Sequence, residues 1–415
     1  MRLRLEGKLW HHRDFQRLWF GETISQFTAQ VTQLALPTVA ILVLGANAFE
    51  MGLLGALQLL AFPTLGLFVG VLADRYRRRP IMIAANLGRM VALATIPIAS
   101  FLGLVSLNLL YLVAVITGIC TVFFDVSYQS YLPVLIDKTD LVEGNAKLQL
   151  SASAGQAGGP AIAGFLIELV GAAKAIAVDA GGFLTSAIAL LSIRKREVKL
   201  NSANSSDFFG EMKEGARVVL GSRILTSIAG CTATSNLGSN MAGVVLLIFA
   251  YRDLHLSPGL MGVVFSVGSV GVLIGAWAAA STAENLGLGR SIALSSIAEI
   301  GILVTPLAMY GYPIVILAAG QLVTGALVAI YNINQVSLRQ AITPDRLQGR
   351  MNATMRTIVW GTIPVGAFIG GVLGESIGVV PTLVVGAVIG ILAVPWILLS
   401  PVMRLRSIPE QVDAS

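Results

Sequence analysis

Charge is scarce in this chain. Asp, Glu, Lys and Arg make up 12% of its 415 residues, against 55% hydrophobic residues, and the mean hydropathy is +0.80. A water-soluble fold of this size needs more polar surface than that to cover its core, so a polytopic membrane protein is implied. Cysteine is nearly absent. Cys120 and Cys231 both lie inside apolar runs and read as small packing residues with no disulfide role. There are three histidines, and the pair His11 and His12 has no further ligand candidate near it. No phosphate-binding glycine loop, metal-ligand cluster or nucleophile triad stands in a workable arrangement. The expectation is therefore no cofactor, no metal and no enzymatic activity. A net charge of +6 suggests nucleic acid as a partner only until the basic residues are located. They fall in the gaps between apolar runs rather than along one face, which argues against nucleic acid and for membrane orientation.

Twelve apolar runs of about 18 to 28 residues follow a basic lead-in, from Leu18–Leu44 to Val379–Leu399. Each is long enough to span about 30 Å of hydrocarbon at 1.5 Å per residue. No small-residue cleavage site follows the first run, which is expected to stay as an anchor. With a cytoplasmic N-terminus, 25 of the 28 basic residues fall on inside segments and 2 outside, with Arg89 alone inside a span. That asymmetry predicts both termini on the cytoplasmic side of the cell (inner) membrane. Asn201–Asp207, rich in Asn and Ser, reads as a linker between two halves. The expected organisation is a six-helix bundle over residues 1-194, a cytoplasmic linker over 195-222 and a second six-helix bundle over 223-415. The halves repeat: Gly52-Leu53-Leu54-Gly55 recurs 207 residues later as Gly259-Leu260-Met261-Gly262. Thr117-Gly118 recurs as Thr324-Gly325, and Asn145–Gly171 slides onto Asn352–Gly378, at the same offset.

Between the second and third runs stands Gly70-Val71-Leu72-Ala73-Asp74-Arg75-Tyr76-Arg77-Arg78-Arg79-Pro80. Its four arginines cannot enter hydrocarbon, where each costs at least roughly 2.5 kcal/mol at mid-depth, so the stretch sits at a membrane surface. It resembles the G-x-L-a-D-R-x-G-R-[RK] loop of the major facilitator superfamily. Gly70, Leu72, Asp74, Arg75, Arg78 and Arg79 match, and Arg77 replaces a glycine, as in the D-R-x-x-R-R form of that superfamily's drug and macrolide exporters. In the fifth run, Gly155-x-x-x-Gly159-Pro160-x-x-Ala163-Gly164 resembles the exporters' G-x-x-x-G-P-x-x-G-G signature, with Ala163 in place of one glycine. Phe123-Phe124-Asp125, Tyr131-Leu132-Pro133 and Leu141-x-x-x-Asn145-Ala146 are similar to the twelve-span drug, macrolide and siderophore exporters.

The resemblance implies an all-α membrane protein of twelve transmembrane helices in two pseudo-symmetric six-helix bundles, with the substrate path between them. It implies a monomeric secondary transporter, exporting small amphipathic or drug-like molecules by alternating access. Protons would be the coupling ion and membrane lipids the surroundings. A lipid or lysolipid flippase of the same fold is the alternative. In the superfamily the fifth-helix signature is read as a pliable seam against the eighth helix; close packing alone is the competing account.

Glu22, Gln26, Gln30 and Gln33 lie on one face of the first helix. They either line a cavity, with Glu22 exchanging protons, or bond neighbouring helices, with Glu22 pairing a basic residue near the interface. Asp125 is a second proton candidate. The resemblance instead implies that Asp125 pairs with the arginines of the loop, while Asp74 faces the start of the eleventh helix, so that Gly70, Asp74, Arg75, Arg78, Arg79 and Arg89 act as a conformational latch. Asn236 and Asn240 in the seventh run, and Gln321, Asn332 and Gln335 in the tenth, either complete a polar cavity wall or bond helix to helix. Asp179 and Glu299 fall in runs expected at the periphery.

Overall fold

The computed structural model describes residues 8–195, 197 and 208–408. All regular structure among them is helical. In chain order the α-helices are α1 (Arg13–Thr38), α2 (Ala48–Leu59), α3 (Ala61–Arg75), α4 (Arg78–Phe101), α5 (Leu107–Leu135), α6 (Leu141–Val170), α7 (Ala172–Ser192) and α8 (Phe208–Gly221). They continue as α9 (Arg223–Ile248), α10 (Pro258–Leu286), α11 (Leu288–Ser295), α12 (Ile300–Leu303), α13 (Pro313–Ile342), α14 (Asp345–Ser376), α15 (Val379–Ile391) and α16 (Val394–Leu398). The linker Asn201–Asp207 and the side chain of Asp74 lie outside the described residues.

Among the described residues, eleven helical segments, some of them interrupted, are both long and apolar enough to cross a membrane. The expected fifth span is the exception in composition only. It forms α6, whose 30 residues are ample for a crossing, but glycine, alanine, serine and glutamine dilute its hydropathy. The outward faces carry exposed Phe101, Leu169, Trp277 and Leu399, as a surface solvated by hydrocarbon requires.

Contacts divide the chain into two units. The N-terminal unit takes in Met1–Ala46, Leu57–Ala203 and Ser257–Ser266, and the C-terminal unit Asn47–Ala56, Asn204–Leu256 and Val267–Ser415. Phe15, Leu18, Met82, Phe124 and Tyr131 are at the centre of an apolar core in the first. Ile228, Ile292, Leu338 and Ile397 do the same in the second. Glycine decides where the two exchanged stretches go. A β-carbon on Gly164 of α6 would stand 2.5 Å from the Pro258 carbonyl oxygen and 3.0 Å from Gly262 Cα, so only glycine lets α6 and α10 meet there. A β-carbon on Gly52 of α2 would likewise stand 2.5 Å from Gly371 Cα of α14.

The internal repeat is present with a corrected register. At offset 207 the turn glycines Gly171 and Gly378 both adopt positive φ, 86° and 95°. The start of α2 and the start of α10 correspond at 210 instead. Asn47 Oδ1 caps Glu50 N at 2.8 Å, and Ser257 Oγ caps Leu260 N at 3.3 Å. Before them, α1 and α9 each end in a single π-helical turn, Val39–Val43 and Phe249–Asp253, again 210 apart. The structural counterpart of Gly52 is therefore Gly262 rather than Gly259. Two glycines spaced by three made both registers agree in sequence; the caps choose between them.

The expected ninth span is not one helix. After α11 the chain turns over Ser296–Glu299, resumes as the single turn α12, and finishes as a 3-10 helix, Thr305–Tyr310, with Pro306 in its first turn. Its counterpart α4 runs unbroken from Arg78 to Phe101.

Candidate functional site

The polar stripe of α1 meets the glycine signature of α6. Glu22 is 7% exposed; its Oε1 accepts a hydrogen bond from Gln26 Nε2 at 2.8 Å, while Oε2 has no hydrogen-bond partner. Gln26 and Gln30 are half-buried and Gln33 is exposed. A β-carbon on Gly155 would stand 3.4 Å from the Gln26 carbonyl, and one on Gly159 would stand 2.9 Å from Gln30 Cβ. Two motifs noticed separately in the sequence are thus two sides of one seam. Beyond Gly159 the same helix turns to α10. Ala161 N donates to Ser266 Oγ at 3.0 Å, the Pro160 carbonyl oxygen faces Gly262, and Gly164 abuts Gly259. Glu168 closes this end, accepting from Ser257 Oγ at 3.0 Å and from Gly259 N at 3.2 Å at the start of α10. Sequence reasoning assigned Glu168 nothing; its position four residues past Gly164 was the available signal.

Arg89 of α4 organises the charges of the N-terminal unit. It is 6% exposed, its guanidinium lies over the rings of Phe124 at 4.5 Å and Phe183 at 4.1 Å, and it donates to Asn86 Oδ1. Three carboxylates act on it electrostatically: Asp125 of α5 first, then Glu22 of α1, then Asp179 of α7. Asp179 is 1% exposed and lies beside the hydroxyls of Thr28 and Thr32. A residue read as peripheral therefore belongs to the central charge group. Only the packing of α7 on both α1 and α4 brings it there.

The arginine-rich loop finds partners that the sequence did not suggest. Glu197 accepts from the backbone amides of Arg78 at 3.0 Å and Arg79 at 3.2 Å, and its carboxylate lies 3.6 Å from Arg78 Nη1. The Arg79 side chain donates to the carbonyls of Leu190 and Leu191 at the end of α7, both at 2.8 Å. Arg75 is exposed. Around Gly70 there is open space where a β-carbon would stand, so packing does not demand the glycine.

In the C-terminal unit the polar candidates serve mainly to join helices. Asn236 Nδ2 donates to the Val359 carbonyl of α14 at 3.2 Å, and Asn240 Nδ2 to the Asn236 carbonyl at 2.8 Å. Gln335, 3% exposed, donates to exposed Asn332 at 3.4 Å, and Gln321 packs beside Gly268. Cys120 and Cys231 are free thiols. Among the described residues no group of three or more His, Cys, Asp or Glu could hold a metal ion.

Comparison with known proteins places this geometry. The model of a family described as transmembrane secretion effector matches residues 10–414. Enterobactin exporter EntS of Escherichia coli O127:H6 is 26% identical over 424 residues, covering 97% of this chain and 96% of that protein. Macrolide efflux protein A of Streptococcus pyogenes is 27% identical over 207 residues, 49% of this chain and 51% of that one. A bacterial homologue of the iron transporter ferroportin, solved in an inward-facing state, superposes with a TM-score of 0.72 at 16% identity, covering 95% of this chain and 99% of that one. The nucleoside transporter NupG gives 0.72 at 12% identity, covering 93% and 98%. At such identities the two structures speak to the fold alone. The match over almost the whole length makes the chain a multi-pass membrane transporter of exporter type rather than an enzyme, and it belongs to the transmembrane secretion effector family of the major facilitator superfamily.

Proposed function

We propose that this protein is a proton-coupled antiporter that exports small amphipathic molecules, of the kind represented by siderophores and macrolides, across the cell membrane by alternating access. The observation that carries the reading is Glu22. It is a buried carboxylate with one oxygen bonded and one unpartnered, on the helix face that packs against the exporter glycines. An acid in that setting is neutralised by a proton or a cation whenever its surroundings withdraw. Arg89 lies within electrostatic reach of Glu22; in this reading it neutralises the acid in one state of the transport cycle and a proton does so in the other. The names of the two curated relatives supply the substrate class. The chain is read as a monomer with both termini in the cytoplasm, its charges arranged for lipid on either side.

The test uses purified protein in liposomes with an imposed pH difference. Glu22→Gln keeps size and hydrogen bonding but fixes the site as neutral. The variant is expected to exchange labelled substrate down its gradient at close to the wild-type rate and to accumulate none against it. Normal accumulation by Glu22→Gln would remove Glu22 from the coupling role.

A further inference from the structure

Glu299 lies on the Ser296–Glu299 turn that breaks the helix between α11 and α12, and it is 1% exposed. Its Oε1 accepts from Ser235 Oγ at 2.8 Å and from Ser239 Oγ, both on α9; its Oε2 has no hydrogen-bond partner. The room for it is built by α15, where a β-carbon on Gly390 would stand 2.5 Å from Glu299 Cγ. From α13, Thr324 Oγ1 donates to the Ala298 carbonyl at 3.1 Å and pins the turn. The titratable groups facing it are Cys231 of α9 and, behind that thiol, Tyr331 of α13. Among the described residues no Lys, Arg or His pairs with it.

The internal repeat sharpens the contrast. α4 begins at residue 78 and α11 at residue 288, so at offset 210 Glu299 is the counterpart of Arg89. Gly390, at offset 207, stands where Phe183 covers Arg89. One unit thus buries a cation among three carboxylates. The other buries, at the duplicated position, a carboxylate with two hydroxyl donors and no counter-charge. Two serine hydroxyls occupy one oxygen and leave the other open and away from water, the arrangement in which a carboxyl group is satisfied by binding a proton or another small cation. Three oxygen-bearing side chains meet there, Glu299, Ser235 and Ser239, fewer than the six or more oxygens of a hard metal ion's shell and enough for a proton.

We propose that Glu299 is a proton-binding site of the C-terminal unit, its Oε2 gaining a proton from water and returning it, with Ser235 and Ser239 holding Oε1 in place. The break in the helix is where movement would cost least. Its turn is held by i→i+3 bonds such as Ile300 N to the Ile297 carbonyl at 2.9 Å, which rearrange with less loss than a continuous α-helical ladder. Proton binding at Glu299 stands without the exporter reading; only its use in coupling rests on that reading.

Infrared titration of purified protein tests the binding without any transport. Wild type is expected to show a protonated-carboxyl carbonyl band that titrates with pH, that Glu299→Gln loses and that Glu22→Gln keeps. Identical titrating bands in wild type and Glu299→Gln overturn the proposal. So does a band that responds to sodium at fixed pH and not to pH. If Glu299→Gln fails to fold, the double variant Ser235→Ala/Ser239→Ala keeps the acid without its donors and must shift the band's titration midpoint; an unmoved midpoint also overturns it. A persistent Glu299 band in protein that shows no proton-driven transport sinks the exporter reading and leaves this one standing.

Discussion

Arg89 shows how a single residue sets the chemistry of a membrane-embedded unit. Its guanidinium is planar and always charged, so it can stack between Phe124 and Phe183 while serving Asp125, Glu22 and Asp179. Arg89→Ala leaves buried carboxylates without their cation and is expected to destabilise purified protein by about 3–5 kcal/mol. Arg89→Lys restores the charge but neither the stacking nor the fork, and should recover part of that loss. Denaturant unfolding of the two variants measures both; equal stability of Arg89→Ala and wild type would refute the central role. Asp125 acts on Arg89 together with Glu22 and Asp179 and is read as part of the latch, so Asp125→Asn is expected to slow exchange and accumulation together. If Asp125→Asn uncouples while Glu22→Gln accumulates normally, the roles of the two acids are reversed.

At the scale of elements, α6 shows why composition and packing have to be read together. The helix is too poor in large apolar residues to score as a membrane span, yet its small residues let α1 and α10 approach it. Gly164→Val puts a branched side chain against the Pro258 carbonyl and Gly262, and overpacking of this kind costs about 1–3 kcal/mol. Gly262→Val should do the same from the other side. Gly158→Ala is the control, because no atom lies within 4 Å of where its β-carbon would stand. Thermal unfolding in detergent is expected to rank the control with wild type and both valine variants below it. A valine variant as stable as the control would show that the seam is looser than its geometry.

For the whole molecule, a cytoplasmic N-terminus would divide the basic residues 25 inside to 2 outside, and that asymmetry is the ground on which we propose cytoplasmic termini. A membrane-impermeant maleimide applied to intact cells is expected to label Tyr312→Cys and Leu104→Cys and to leave Asn285→Cys untouched until the cells are opened. Tyr312 is 83% exposed and Leu104 67%, so failure to label them would not come from burial. Labelling of Asn285→Cys alone in intact cells would invert the topology.

Chain order alone determined much of this protein. Apolar runs of membrane length, basic gaps and a two-fold repeat are one-dimensional properties that pointed to a polytopic membrane protein in two halves, and the resemblance of its motifs to the major facilitator superfamily added the expectation of a twelve-span all-α transporter. The stripe Glu22, Gln26 and Gln30 was legible because it repeats at helical spacing within one element, and the glycines Gly155, Gly159 and Gly164 because they resemble the exporters' signature. What sequence could not supply was which elements touch. Asp179 joins the Arg89 group because α7 packs on α1 and α4, Glu197 reaches Arg78 and Arg79 from 118 or more residues away, and Glu168 caps a helix 89 residues on. The register of the repeat was ambiguous for a related reason: glycines three apart fit two alignments, and only the caps at Asn47 and Ser257 select one. Glu299 was in view as a lone acid in an apolar run. The break in its helix, the two serines on α9 and the space left by Gly390 came only from tertiary structure, because a side chain's partners in a helical bundle are set by packing between helices and not by distance along the chain.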